Sequence, residues 1–406
     1  MSFFRKSLSL SGAFVLALVI FFMAGAGVAA DSSDKFVIGF VSGDWASQDE
    51  WNAHPADMGH LPDYLPHRPL AGAEMGIGDA QYLGRGMKLE YVLENQSAKT
   101  VDGMIAAIDG LEAKGAKVIL IDAQGDQLTS VSKAVADRDI LLLNVSAYEN
   151  NLRNADCRKN LFHTIPSSAM LMDGLAQFLV GKKWLRVLVL QGPTQEDSRQ
   201  VASFMRSAKR FGLKVSETRP FLLTQDPRAR QVNRVEQLTA GDEDLYDVVF
   251  VADAHGEFSY RIPYATVLPR PVVGAHGLTP RAWHWSYLRH GAPQVNSRFE
   301  KKYNRRMNDR DWAAWIAVKA VSEAVRNKKS IELADIRADL LNQKLKLDAF
   351  KGGGYSFRPW DNQLRQPVLM VTDNWVASVT PLKAFLHSSN NLDTLGFDQP
   401  ESKCNF

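Results

Sequence analysis

Thr100-Val-Asp-Gly-Met-Ile-Ala-Ala-Ile-Asp-Gly-Leu-Glu-Ala-Lys114, followed by Val118-Ile-Leu-Ile121, Leu128–Asp137 and Ile140-Leu-Leu-Leu143, is the stretch that decides the fold. In its first segment Val101, Met104, Ile105, Ile108 and Leu111 recur every three or four residues. They therefore share one helical face, and Gly115 supplies the stop. The two four-residue segments are apolar without alternation, as strands buried on both faces read. Helices between such strands require a parallel sheet with right-handed crossovers.

Upstream, Phe36-Val-Ile-Gly-Phe-Val41 ends in Ser42-Gly43-Asp44 and Leu89–Leu93 gives another strand, with a helix over Leu70–Leu83 between them. The alternation starts again beyond residue 160. Ser167–Lys183 reads as a helix with Ser167 or Ser168 as its cap, and Arg186–Leu190 as a strand. A helix over Gln195–Phe211 follows, with strands at Leu213–Glu217, Asp247–Ala252 and Pro271–Gly274. The expected fold class is α/β, with two doubly wound parallel-sheet lobes. After Pro293 come helices over Val295–Met307 and Asp311–Asn327, with a basic patch between them (Lys301, Lys302, Arg305, Arg306), and a third over Leu333–Leu341. Short strands at Leu345–Phe350, Gly354–Phe357, Pro367–Thr372 and Trp375–Val379 lack crossover helices, so they are expected to edge an existing lobe.

Of 406 residues, 45% are apolar and 23% charged, with Lys+Arg 48 against Asp+Glu 45. That composition is globular, and its near balance of charge argues against binding driven by many phosphate contacts. Arg5 and Lys6 precede an apolar run from Gly12 to Met23, and small residues lead to Ala30 before Asp31. This is the pattern of a cleavable signal peptide over 1–30, cut after Ala30; an uncleaved anchor is disfavoured because the run is short. Export makes Cys157 and Cys404 a disulfide candidate, two free thiols being the alternative.

No GxSxG, GxGxxG, GxxxxGK[ST] or HExxH stands in the chain, and no cofactor is expected. His54, His60 and His67 could gather a metal with Asp49, Asp57 or Asp63, but without helical spacing a surface loop is the plainer reading. Ligands of open parallel sheets bind beyond the carboxyl ends of the strands. Those ends place Trp45, Asp122, Gln124, Ser146 and Tyr148 on one wall, and Gln191, Thr194, Asp253, His255 and His276 on the other. Such a cleft, rich in acceptors, suits a cation-bearing, metal-chelated or hydroxylated solute. A hydrolase using Asp253, His255 and Glu257 is a rival, but their i, i+2, i+4 spacing after a strand does not bring all three to one bond.

The order of elements, the phrase Phe162-His-Thr-Ile-Pro-Ser167 and the helix pair around Tyr303 and Asp311–Val325 resemble the type I periplasmic binding proteins, in the branched-chain-amino-acid-binding class that serves ABC importers. Phe350-Lys-Gly with Phe357-Arg-Pro-Trp-Asp-Asn-Gln-Leu-Arg-Gln-Pro367, Leu392-Asp-Thr-Leu-Gly-Phe397 and Glu401-Ser-Lys-Cys404 are similar to the subgroup encoded beside PQQ-dependent alcohol dehydrogenase systems. The resemblance implies a first lobe of 31–164 and 283–343, a second of 165–282 and 344–406, and three crossing strands. It implies a cleft that closes on ligand, a periplasmic monomer docking on an ABC permease, and no catalysed reaction. Asp122–Gly125 and Ser146–Tyr148 match the positions that hold an amino acid's carboxylate and ammonium, although Asp122-Ala-Gln replaces the usual small residues. The subgroup suggests an alcohol-derived solute, PQQ or a lanthanide complex as ligand, with a periplasmic sensor using the same cleft as the alternative.

Overall fold

The computed structural model describes residues 34–43, 69–223, 233–254, 256 and 258–406. The expected signal peptide, Trp45, the His54–His67 segment, His255 and Glu257 lie outside them.

Five parallel strands form the first sheet in the order β2-β1-β3-β4-β5: β1 (Asp34–Gly43), β2 (Leu89–Ala98), β3 (Val118–Asp122), β4 (Leu141–Asn144) and β5 (Leu161–His163). Helices α1 (Leu70–Gly84), α2 (Val101–Glu112) and α3 (Gly125–Ala134) make the crossovers. Side chains alternate between the two faces, as strand geometry requires. Phe36, Ile38, Phe40, Val118, Leu120, Leu141 and Leu143 enter one core, while Val41, Ile119, Ile121 and Leu142 enter another under α2 and α3. β5 is a strand where the sequence suggested only a connection, because three residues are too few to show a pattern.

The same order recurs in the second sheet. After α4 (Ser168–Gly181), β6 (Arg186–Gln191), α5 (Gln195–Phe211), β7 (Lys214–Pro220), the single turn α6 (Val235–Leu238), β8 (Val248–Ala252) and β9 (Val272–Gly274) build a parallel sheet of order β7-β6-β8-β9. It too has a core on each face: Val187, Val189, Val248 and Phe250 on one, Leu188, Leu190, Val249 and Val251 on the other.

The chain then runs through β10 (Thr279–Arg281), α7 (Ala292–Tyr303), α8 (Asp309–Lys328) and α9 (Leu333–Leu340). Helix α8 is buried along most of its length, and α1 lies against it. A Cβ on Gly72 would fall 2.0 Å from the Asp311 carbonyl oxygen, and one on Gly76 2.8 Å from Val318. Those glycines are what let the two helices approach.

β11 (Leu347–Asp348) and β12 (Gly354–Tyr355) pair with each other, and β13 (Val368–Thr372) joins β10 and β14 (Trp375–Thr380) in an antiparallel sheet. The expected lobe boundary at 344 differs from the packing. Leu345, Leu347, Ala349, Tyr355, Phe357 and Leu364 enter the first lobe's core. β13 divides itself, with Leu369 and Val371 in that core and Val368 and Met370 in the second lobe's. One strand thus seams the lobes together.

Candidate functional site

Loops from the carboxyl ends of both sheets meet. On the first wall, Asn144 accepts from the Ser146 and Ala147 amides at 3.2 and 2.9 Å. The Ser146 hydroxyl accepts from the Ala123 amide at 3.0 Å and donates to its carbonyl at 3.2 Å. Ser146 therefore staples β4's loop to β3's, and its hydroxyl is spent on the scaffold rather than presented to solute. Buried Arg153 fixes the same loop through the carbonyls of Ala147, Glu149 and Ile165. Gln124 is half-buried at the cap of α3 and Asp122 is buried. The Glu149 carboxylate accepts from the Gly125 amide at 3.1 Å, where the helix dipole favours an anion. A Cβ on Gly125 would sit 2.0 Å from Glu149 Cδ, so only glycine admits this carboxylate.

On the second wall, Thr194 forms a reciprocal capping box with Asp197. Its hydroxyl donates to Asp197 at 2.6 Å, and the other Asp197 oxygen accepts from the Ala254 amide at 2.6 Å. Thr194, which the sequence placed on this wall, is the residue that begins α5. The Thr194-x-x-Asp197 signature was legible for what it is. Asp253 is buried, and one of its oxygens accepts from the Phe258 and Ser259 amides at 2.9 and 2.8 Å, so it organises the following turn. The Gln191 amide donates to Ser198 at 3.2 Å. His276 is buried edge-on to Tyr260, ring centroids 5.8 Å apart. Burial lowers its pKa, against the opposing pull of Asp373 and Asp253, so the imidazole is neutral at pH 7.

A third group was not anticipated from strand ends. The end of β10 and the first turn of α8 bring Arg281, Asp309 and Arg310 toward Tyr148, while the segment after β10 and the loop into α8 gather His284, Trp285 and Arg306. Arg281 stands 3.7 Å from Asp309, whose carboxylate also accepts from the Trp283 amide at 2.7 Å. The Arg310 guanidinium carbon is 5.9 Å from the Tyr148 ring centroid, and that of Arg306 lies 3.5 Å over Trp285. His284 is pushed down to about 4, by burial first and then by Arg281 and Arg306. Tyr148 is raised, chiefly by burial and then by Asp309, so its phenol keeps its proton. Arg281 acts electrostatically on Tyr148, His284 and His276. Arg306 belonged to the sequence's basic patch. Its neighbour Arg305 instead pairs with Asp311 at 2.5 Å and covers the Phe299 ring.

The walls are clasped at one edge. Arg199 on α5 donates to Asp126 on α3 at 2.9 Å and lies 3.8 Å from Glu149, while Asn150 donates to Ser203 on α5 at 2.8 Å. Cys157 and Cys404 are bonded, tying the C-terminal tail to the loop before β5. Among the described residues, no cluster of three His, Cys, Asp or Glu could hold a metal, and no helix is long and apolar enough to cross a membrane. Two surface grooves of about 320 and 870 Å³ lie on the helical face of the first lobe, the larger lined by Asp34 and Leu89 at the amino ends of β1 and β2.

Two parallel sheets of repeated order, joined by crossing segments with their carboxyl edges facing, match known structures. A periplasmic binding protein from Burkholderia mallei superposes with TM-score 0.64 at 15% identity, over 91% of this chain and 98% of that one. The fold is that of the type I periplasmic binding proteins. Residues 68–256 match the family model described as periplasmic binding protein. An ABC transporter substrate-binding protein from Desulfitobacterium hafniense in complex with Leu shares this binding fold with TM-score 0.64 and 13% identity, over 86% of this chain and 100% of that one. So does a solute-binding protein of an ABC transporter from Rhodopseudomonas palustris in complex with 3,4-dihydroxybenzoic acid, with TM-score 0.60 and 12% identity over 84% and 93%. No curated protein matches the chain in sequence.

Proposed function

We propose that this protein is the exported substrate-binding component of an ABC importer, a periplasmic monomer that captures a small solute between its lobes and presents it to a membrane permease. The observation that carries the reading is the meeting of strand-end loops from two separately cored sheets, bridged by Arg199 and Asp126. A ligand touching both walls stabilises the closed arrangement by contacts that neither wall makes alone. No part of this reading requires a reaction.

An amino-acid ligand is disfavoured. The Gly125 amide, at a position that would take an amino acid's carboxylate, already serves Glu149. The link to PQQ-dependent alcohol oxidation, with an alcohol-derived solute, PQQ or a lanthanide complex as cargo, rests on the resemblance of residues 350–367 and 392–404. Those phrases form packing rather than cleft, so they speak to lineage and not to ligand.

Small-angle scattering of the mature chain with and without a saturating solute tests the reading. Contraction on binding is expected, and an unchanged radius of gyration under saturation overturns it. Deleting the gene separates transport from signalling. Lost uptake supports import, whereas unchanged uptake with altered gene expression supports a sensor using the same cleft.

A further inference from the structure

Three connections between the first lobe's core and the second's meet at one buried amine. Thr164 follows β5 on the first, Ala282 follows β10 on the second, and Gln366-Pro367 precedes β13 on the third. Lys351 Nζ donates to the Ala282 carbonyl at 2.7 Å and to Gln366 Oε1 at 2.8 Å, with the Pro367 carbonyl at 3.5 Å. The Gln366 amide in turn donates to the Thr164 carbonyl at 2.7 Å, and the Thr164 hydroxyl to the Ala313 carbonyl of α8 at 2.8 Å. Lys351, Gln366, Thr164 and Ala282 are all buried.

Lysine is seldom fully buried, and a dry amine is tolerated only where its donors are met. Oxygens meet them here, and the Trp312 ring covers the amine with its centroid 3.5 Å away. Burial lowers the Lys351 pKa against the opposing pull of Asp309. The turn that delivers the side chain is constrained as well. Phe350 and Gly352, on either side of Lys351, have φ of 57° and 91°, and a Cβ on Gly352 would stand 2.5 Å from His290 Nε2. A bulky residue in the left-handed region is strained, and such strain persists where the surroundings hold it.

The location gives this node more than a packing role. Lobe closure is absorbed by changes of φ and ψ in a few connecting residues. A tie within one lobe would ride along with that motion, but this one holds oxygens of all three connections, so none can turn without straining the others.

We propose that Lys351 is a positioning residue for lobe closure: its amine, with the Gln366 amide, yokes the three connections so that the lobes turn together along one path. This rests on the receptor reading and adds what guides its motion.

The test is pulsed electron-spin distance measurement on the mature, disulfide-bonded chain, labelled at Lys133→Cys on α3 and Lys209→Cys on α5, both exposed. Lys351→Met keeps the stem and loses the donors, and Gln366→Met keeps the length and cuts the link to Thr164. Leu120→Ala, a cavity in the core of the first sheet, is the control for lost stability alone. The interlobe distance distribution should become about twofold broader or more in either yoke variant, and stay native in Leu120→Ala whatever its melting temperature. If both yoke variants fold and keep the native distribution, the yoke is overturned. If neither folds while Leu120→Ala does, it is overturned too, because Lys351 and Gln366 then serve stability alone. The receptor reading stands or falls separately, on the contraction of the native chain in scattering, which needs none of these variants.

Discussion

Arginines gather in two regions of this molecule, and their surroundings set them to different work. Behind the second lobe, Arg358 and Arg365 are buried around one carboxylate, Asp393, at 2.8 Å each. Arg358 also donates to the carbonyls of Leu392 and Leu395, and both guanidiniums lie beside Trp360. Nearby, buried Asp173 takes Arg206, Arg210, Ser207 and the Gly396 amide. Every charge there has a fixed partner, and the C-terminal segment is locked down. By contrast Arg306 and Arg310 are half-buried, one over the Trp285 ring and the other 5.9 Å from the Tyr148 centroid. Full pairing in the dry interior makes arginine a structural tie, whereas a half-buried guanidinium against a ring contributes a weaker, solvent-screened contact.

The contrast predicts unequal costs for breaking the two kinds of contact. Asp393→Ala leaves two buried guanidiniums without their carboxylate and should cost about 3–5 kcal/mol of stability in urea or guanidinium melts, with unchanged ligand affinity in the protein that remains folded. Arg306→Gln, which removes a half-exposed cation from the Trp285 face, should cost about 1 kcal/mol or less in the same melts. If Asp393→Ala is mild, or Arg306→Gln unfolds the protein, the distinction between the two arginine regions is broken.

Cys404→Ser tests the same C-terminal region covalently. The bridge spans 247 residues of sequence, and losing it should cost about 2–4 kcal/mol, read by chemical denaturation under oxidising conditions.

pH sharpens the comparison within the cleft. His284 is lowered from 6.5 to about 4, so the stability tied to its neutral form is present above pH 6.5 and lost as pH falls toward 4. His284→Gln should remove about 1–2 kcal/mol of that acid-side slope, scaled down from the shift because the ring keeps some solvent contact. Glu196, at the clasp, runs the other way. Burial first and Glu149 second raise it from 4.5 to about 7, so its burden on the folded state grows as pH rises through that window and levels off above it. Glu196→Gln should therefore melt higher than the native protein at pH 8 and lose that advantage below pH 4.5.

Arg199→Ala should have the smallest effect. Its pair with Asp126 is largely exposed, worth under about 1 kcal/mol, so affinity should fall only a few-fold in titration, with no change in melting temperature.

Apolar period and crossover logic determined the sheets, because a strand buried on both faces must be apolar whatever packs on it. They also named the loops that meet, and Tyr148, Asp122 and His276 do lie at the strand ends. They did not tell which polar groups there are free to act. Ser146 and Thr194 lie at the strand ends, and their hydroxyls bond to the Ala123 backbone and to Asp197. The Thr194-x-x-Asp197 spacing could have revealed one of these, but the Ser146 staple depends on a loop 23 residues away. Arg281 and Arg306 were not singled out, since they follow no parallel strand and one stood in what read as a surface basic patch.

Local sequence thus determined which segments become strands and helices and the order in which they pair, because those choices depend on neighbours a few residues apart. Tertiary structure alone decided that β13 feeds both cores, that Glu149 fills the start of α3, and that Arg310 of α8 lies against Tyr148. Each depends on groups far apart in sequence being brought within a few ångströms, where burial and charge set their chemistry.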